Sequence, residues 1–291
     1  MNIATIKTEM IRLSSLTTAQ EVQADPKARE VFEAFIKALN AGAIRAAEPT
    51  KSGWQTNAWV KEGIVKVGFR LGALEVMTDA DAPLQFSDKD TLPIQQTSDL
   101  SERNIRIVPG GSSVRAGSYL GHNVIMMPPA YVNIGAYVDD NSMVDSLALV
   151  GSCAQIGKNV HLAAGAIVGG VLEPANATPC IVGDGSFIGA YAGIFSGVRL
   201  GNGVVLAPKT VITEATEVWE ALPGKAQRKL ENSSAHPIVI PDRALVIPGS
   251  VQLKDADGNP SPLSKNVAII RGYYEEGGNA KLALNEFLRA S

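Results

Sequence analysis

Aromatic residues are scarce, at 5% of 291 residues, so any core must be filled by aliphatic and small side chains. Cysteine occurs twice, as Cys153 and Cys180, too few for a disulfide framework or a cysteine-rich metal cluster. Histidine occurs three times, as His122, His161 and His236. Spacings of 39 and 75 residues offer no close ligand pair for zinc hydration chemistry. Neither sign of charge dominates: the formal net charge is −3, which advertises no nucleic-acid surface. No apolar run approaches the roughly 18 to 20 residues that span a bilayer. The opening MNIATIKTEMIRLSS lacks the apolar core and cleavage site of a secretory signal. The expectation is a soluble cytoplasmic protein without membrane or nucleic-acid partners and without a resident metal.

What is present is a six-residue clock. From Val108 the series runs Val114, Leu120, Met126, Val132, Val138, Val144, Val150, Ile156, Leu162 and Val168. It resumes as Val182, Ile188, Ile194, Leu200, Leu206 and Ile212, with Ile240 and Val246 as a last pair. Four residues after each aliphatic lies a second register of mostly small or β-branched residues, among them Ser118, Ala130, Ser142, Ala154, Ala166, Ser186 and Ala192. Glycine often follows the aliphatic position, as at Gly121, Gly151 and Gly169. With apolar residues near one half of the chain, so long an unbroken series is not chance alternation.

A period of six means a parallel β-helix: each hexapeptide gives one short strand and one corner, and three close a triangular coil. The aliphatic points into the prism, the small residue fits the corner, and glycine relieves the turn. Stacked coils satisfy each other's backbone groups. Two interruptions stand out. Across GVLEPANATPC the step from Val168 to Val182 is fourteen positions where two steps of the clock need twelve, and ALPGKAQRKLENSSAHP separates Ile212 from Ile240. Long loops on a compact scaffold are more often functional than ornamental.

The flanks differ in style. Residues 27–42 read as an amphipathic helix through Val31, Phe32, Phe35, Ile36 and Leu39. GIVKVGFRL at 63–71 alternates as a strand. NVAIIRGYY reads as a strand and AKLALNEFLRA as a short helix. The expected chain is mainly β, in three parts: an α/β N-terminal domain over 1–104, a β-helix over 105–252 with loops near 169–181 and 218–239, and a β/α extension over 253–291.

The hexapeptide pattern resembles the left-handed β-helix of hexapeptide-repeat acyltransferases, an exception to right-handed crossovers. YVNIGAYVDDNSMVDSLALVGSCAQIGKNVHLAAGAIVGGVLEP at 131–174 is more specific. It closely resembles the tetrahydrodipicolinate N-succinyltransferases of bacterial lysine biosynthesis. The likeness extends to ALNAGAIRAAEP (38–49), to NIRIVPGGSSVRAG (104–117) and weakly to LALNEFLRA. It implies transfer of an acyl group from a CoA thioester, succinyl-CoA or acetyl-CoA, to the amine of a 2-amino-6-oxopimelate-type amino-dicarboxylate. It also implies a homotrimer with sites between neighbouring β-helices, and no metal.

Amide formation from a thioester needs a neutral amine, a proton acceptor and donors for the developing oxyanion. By the resemblance, the Asp of the MetValAsp motif, Asp145, meets the acceptor amine; otherwise it merely solvates a corner. Arg106, matching the family's ArgValValPro-like segment, would pair with an acceptor carboxylate, and Arg115 has a weaker claim. The family binds CoA in the stretch from Leu206 onward, which gives Ala207, Lys209 and Lys225 as cofactor-binding candidates. Arg228 and Lys229 could also meet CoA phosphates, or simply be a solvated charge run. His161 lies in a family motif without a catalytic role, and Cys153 and Cys180 read as packing residues.

One row departs from the family. Typical members carry GlyAlaArgSerGlu in the row starting IleGly, and that Glu is the second acid of the site. In this chain Tyr191 replaces the Arg, Gly193 the Glu and Ser196 a further acid. Both Tyr191 and Gly193 thus become substrate-side candidates in a retuned site. Besides succinyl transfer, two readings stay open: an acetyl-CoA-specific relative of the tabtoxin-type β-lactam branch, and a catalytically dead CoA-binding scaffold.

Overall fold

The computed structural model describes residues 1–51, 53–78, 85–95, 99–231 and 237–275. The chain opens with three helices, α1 (Ile3–Ser14), α2 (Ala19–Ala24) and α3 (Ala28–Asn40). Asn2 caps α1 by accepting from Thr5 N–H at 2.9 Å, and Thr18 with Glu21 forms a capping box on α2. In α3, Val31, Phe32, Phe35 and Leu39 are buried, as the periodicity predicts.

The 63–71 segment is a correction. It is helical: α4 (Ala58–Glu62) runs on into a π-helical turn, Gly63–Gly68, and a last turn, Phe69–Leu71. Ile64, Val67 and Leu71 are buried at helical spacing, so this short apolar run satisfied both periods and its period of two misled. The two glycines settle the matter by close packing. A Cβ at Gly63 would come within 2.5 Å of Met10, and one at Gly68 within 2.7 Å of Phe32.

From Arg106 the chain winds as a left-handed parallel β-helix with three faces. The first face stacks Arg106–Ile107, Ile125–Met126, Met143–Val144, His161–Leu162, Phe187–Ile188 and Val205–Leu206, then takes the start of the strand Ala244–Lys254. The second runs from Ser113–Val114 to Val211–Ile212, and the third from Tyr119–Leu120 to Val239–Ile240. The clock residues from Val114 to Ile212 are the interior, none more than 5% exposed. Val108 is the exception: Ile107, not Val108, pairs with Met126. The extra residue is absorbed at Gly110 and Gly111, both at positive φ, where glycine alone is unstrained.

At Ser142 the corner hydroxyl is satisfied inside. Ser142 Oγ donates to Gly157 O at 2.8 Å and accepts from Val160 N at 3.0 Å. Along the edge between third and first faces, Asn104 donates to Asn123 and Asn123 to Asn141, at 2.8 and 2.9 Å. All three asparagines are left-handed, the conformation asparagine tolerates best after glycine.

Both interruptions leave from the edge between second and third faces. Val168 and Val182 lie on consecutive faces, so their separation is one step of the clock with eight residues inserted, not two steps with two inserted. The second excursion spans 213–238 between Ile212 and the Val239–Ile240 strand. Its Val218–Glu220 strand pairs with Pro260–Tyr273, which folds back on Ala244–Lys254 as a long hairpin. The expected NVAIIRGYY strand, all but its last residue, lies inside Pro260–Tyr273; the expected AKLALNEFLRA helix falls outside the described residues.

The N-terminal helices pack on the same second/third edge. A Cβ at Gly117 would meet Ile36, and one at Gly135 would meet Ile64 and Cys153. Ile134 and Cys153 belong to the core of the helices rather than to that of the prism.

Candidate active site

The opposite edge, between first and second faces, is bare. Its corners are 127–130, 145–148, 163–166, 189–192 and 207–210, each held to the one below by a backbone hydrogen bond. Leu147 N–H donates to Pro129 O, Gly165 to Ser146, Tyr191 to Ala164 and Lys209 to Ala190, at 2.8 to 3.0 Å. Gly165 can take the left-handed turn freely, but Leu147, Tyr191 and Lys209 take it too. Non-glycine residues with long side chains pay about 1–2 kcal/mol for that backbone. Leu147 is 57% and Tyr191 62% exposed, so their burial in the chain does not explain the strain. Such strain with exposed side chains is a pointer to function.

This edge gathers Asp145, Tyr191, Ala207 and Lys209. Asp145 N–H donates to Leu162 O, and its own Oδ1 accepts from Ser146 N at 2.7 Å. Its Oδ2 lies 3.7 Å from His161 Nε2. His161 stands directly over Met143 in the parallel ladder, and its ring packs edge-on against Phe187 at 5.2 Å. Sequence reasoning set His161 aside, yet the signal was there. Eighteen residues make one coil, so 143 and 161 had to stack. Arg106 is exposed on the same first-face column, two rungs from Met143, roughly 10 Å along the axis.

Other candidates are elsewhere. Arg115 sits on the second/third edge with its guanidinium on Asp88 and on Leu92 O. It is occupied by Asp88 of the strand Gln85–Lys89 and by Leu92, on the edge opposite Asp145. Gly193 is buried in the second face, where a Cβ would lie 2.9 Å from the Phe195 ring. Ala207 is buried against Val205 and Leu245. Lys225 is exposed in the 213–238 excursion, in a turn closed by its N–H on Leu222 O.

The second face carries a cavity of about 860 Å³. Leu149, Ile167 and Phe195 form its apolar floor, and the 169–181 excursion forms a wall with Glu173 and Asn176. Burial pushes the Cys153 thiol up to about 12 and the Cys180 thiol to about 11, so neither supplies a thiolate nucleophile. Among the described residues no group of His, Cys, Asp or Glu is arranged to hold a metal ion, and no helix is long and apolar enough to cross a membrane.

A carboxylate on an accessible edge, 3.7 Å from an imidazole and with Arg106 two rungs away on the first face, suits proton transfer from a substrate amine. Comparison with known proteins decides the family. A profile described as tetrahydrodipicolinate N-succinyltransferase N-terminal matches residues 12–71, and one described as bacterial transferase hexapeptide (six repeats) matches 179–214. A 2,3,4,5-tetrahydropyridine-2,6-dicarboxylate N-succinyltransferase of Bordetella petrii is 40% identical over 94% of each chain. The protein of that name from Aromatoleum aromaticum is 40% identical over 90% of each chain. That of Escherichia fergusonii is 37% identical over 98% of this chain and 96% of its own. The chain belongs to the tetrahydrodipicolinate N-succinyltransferase family. It is an acyltransferase. The family match covers the N-terminal helices as well as the prism, so the dressed edge and the bare edge are parts of one enzyme.

Proposed function

We propose that this acyltransferase moves a succinyl group from succinyl-CoA to the amine of a tetrahydropyridine-dicarboxylate-derived, 2-amino-6-oxopimelate-type acceptor. The observation that carries it is Asp145, inside the family's best-matched segment, on the open edge with His161 at its back. The neutral amine attacks the thioester carbonyl carbon; the C–N bond forms and the C–S bond breaks. Asp145 takes the amine proton, which passes to the leaving thiolate, the general-base role of a positioned carboxylate. Arg106 pairs with an acceptor carboxylate in charge-assisted bonds, and Lys209, exposed on the same edge, meets CoA phosphate. The protein works as a cytoplasmic homotrimer on this reading, with the exposed Leu147 and Tyr191 covered by a neighbouring copy; light scattering that finds an active monomer contradicts the assembly.

One feature favours acetyl-CoA as donor instead. Phe195 lies over Gly193, where the family acid would stand, and puts aromatic bulk in the cleft. All three relatives above are named for succinyl transfer, which puts succinyl first. Thiol release with each CoA thioester and 2-aminopimelate tests both. A higher kcat/KM for succinyl-CoA is expected. A preference for acetyl-CoA overturns the donor, and no release with either leaves a CoA-binding scaffold.

A further inference from the structure

The eight-residue insertion on the second/third edge is attached unlike any coil. Val171 N–H donates to Ser152 O at 3.1 Å, and Cys180 O accepts from Gln155 N at 2.9 Å. Between those two points, among the described residues, the segment has no backbone hydrogen bond to any other segment. Its one internal bond runs from Ala177 N to Pro174 O. Two side chains span the gap. Lys61 Nζ donates to Ala177 O, and Arg199 Nη2 donates to Thr178 Oγ1 at 3.0 Å. They come from different elements, Lys61 from α4 and Arg199 from the third face.

Both cations are held at a cost. Lys61 is 0% exposed, and no carboxylate pairs with it or with Arg199 among the described residues. The Arg199 Nε is buried without a partner. Desolvation lowers the pKa of both groups. A buried charge without a counter-ion is a poor way to stabilise a fold, and an apolar side chain of similar size would serve better. What each cation adds is a directed bond to adjacent residues of a segment that has few others. The segment in turn walls the 860 Å³ cavity through Leu172, Glu173, Pro174, Asn176, Ala177 and Thr178.

We infer that Lys61 and Arg199 are positioning residues which clamp the insertion at 177–178 and so fix the wall of the cavity for substrate. The clamp ties the N-terminal helices to the site: the position of α4 sets the width of a cleft on another face. The kinetic consequence rests on the acyltransferase reading, with the cavity taking part of one substrate. The clamp itself does not.

Lys61→Met and Arg199→Met separate the two. Hydrogen exchange followed by mass spectrometry reads the clamp without any substrate. Exchange at the two hydrogen-bonded amides of 171–180, Val171 and Ala177, should rise at least tenfold in either variant, with the coils from 131 to 168 unchanged. Unchanged exchange over 171–180 overturns the clamp. Steady-state kinetics reads its use: KM for at least one of acceptor and acyl-CoA should rise fivefold or more, with kcat within about threefold of wild type. Unaltered KM for both substrates overturns the positioning role even if exchange rises. Arg199→Lys, which keeps a donor of shorter reach, should recover part of both effects. If Lys61→Met fails to fold, Arg199→Met carries the test. Were wild type inactive with both thioesters, the proposed function would fail while the exchange experiment still judged the clamp.

Discussion

The two edges that flank the second face are built from the same repeat and used in opposite ways. The second/third edge is dressed: helices pack on its lower corners, and both excursions leave from its upper ones. From residue 127 onward the first/second edge keeps plain four-residue corners, and it carries Asp145, Tyr191 and Lys209. The difference teaches how a repetitive scaffold divides labour. On the function and the clamp proposed above, insertions supply walls and clamps, while the regular edge keeps an evenly spaced row of side chains for chemistry, as sites on regular elements are held more tightly than sites on loops.

Substitution inside the prism should erase both edges at once, the largest expected effect. Val150 is fully buried between Val132 and Val168. Val150→Asp puts a carboxylate there without a partner, costing several kcal/mol, and should give insoluble or unfolded protein. A soluble variant with the wild-type Tm would show that the register is wrong.

Arg106→Ala probes the bare edge alone. Loss of one charge-assisted pair with an acceptor carboxylate is worth about 1.5–3 kcal/mol, so the acceptor KM should rise by roughly tenfold or more while Tm holds. An unchanged acceptor KM returns Arg106 to the solvated surface. Smaller still is Leu147→Gly, which relieves a left-handed leucine worth about 1 kcal/mol. The strain relieved and the leucine burial lost at the proposed trimer contact oppose each other, so thermal unfolding should show a stable fold with Tm within a few degrees of wild type. A marked loss of Tm would mean that the Leu147 side chain holds the corner.

The interior of the prism was legible because one residue in six must be aliphatic whatever the edges do. The same regularity hid its exceptions. At Gly110 and Gly111 a one-residue slip left Val108 looking like an interior position when Ile107 was one. After Val168 an eight-residue insertion imitated two steps of the clock. At 63–71 a short apolar run carried two periods, and only the close packing of Gly63 and Gly68 against Met10 and Phe32 separates them. The candidate site was half legible. Asp145 and Arg106 came from family motifs and lie on one side of the prism. Arg115, the weaker claim from the same matched segment as Arg106, is taken up by Asp88, a partner 27 residues away that no local pattern announces. Lys61 and Arg199 were invisible for the same reason: their partners, Ala177 and Thr178, are set by the path of an insertion.

The claim that the bare edge does the chemistry rests on Asp145. The most direct measurement is kcat for thiol release by Asp145→Asn, alongside its Tm and its affinity for CoA. Loss of proton-transfer help should lower kcat by roughly 10²-fold or more while fold and CoA binding stay as in wild type. Wild-type kcat in that variant would contradict the account and move the chemistry off this edge.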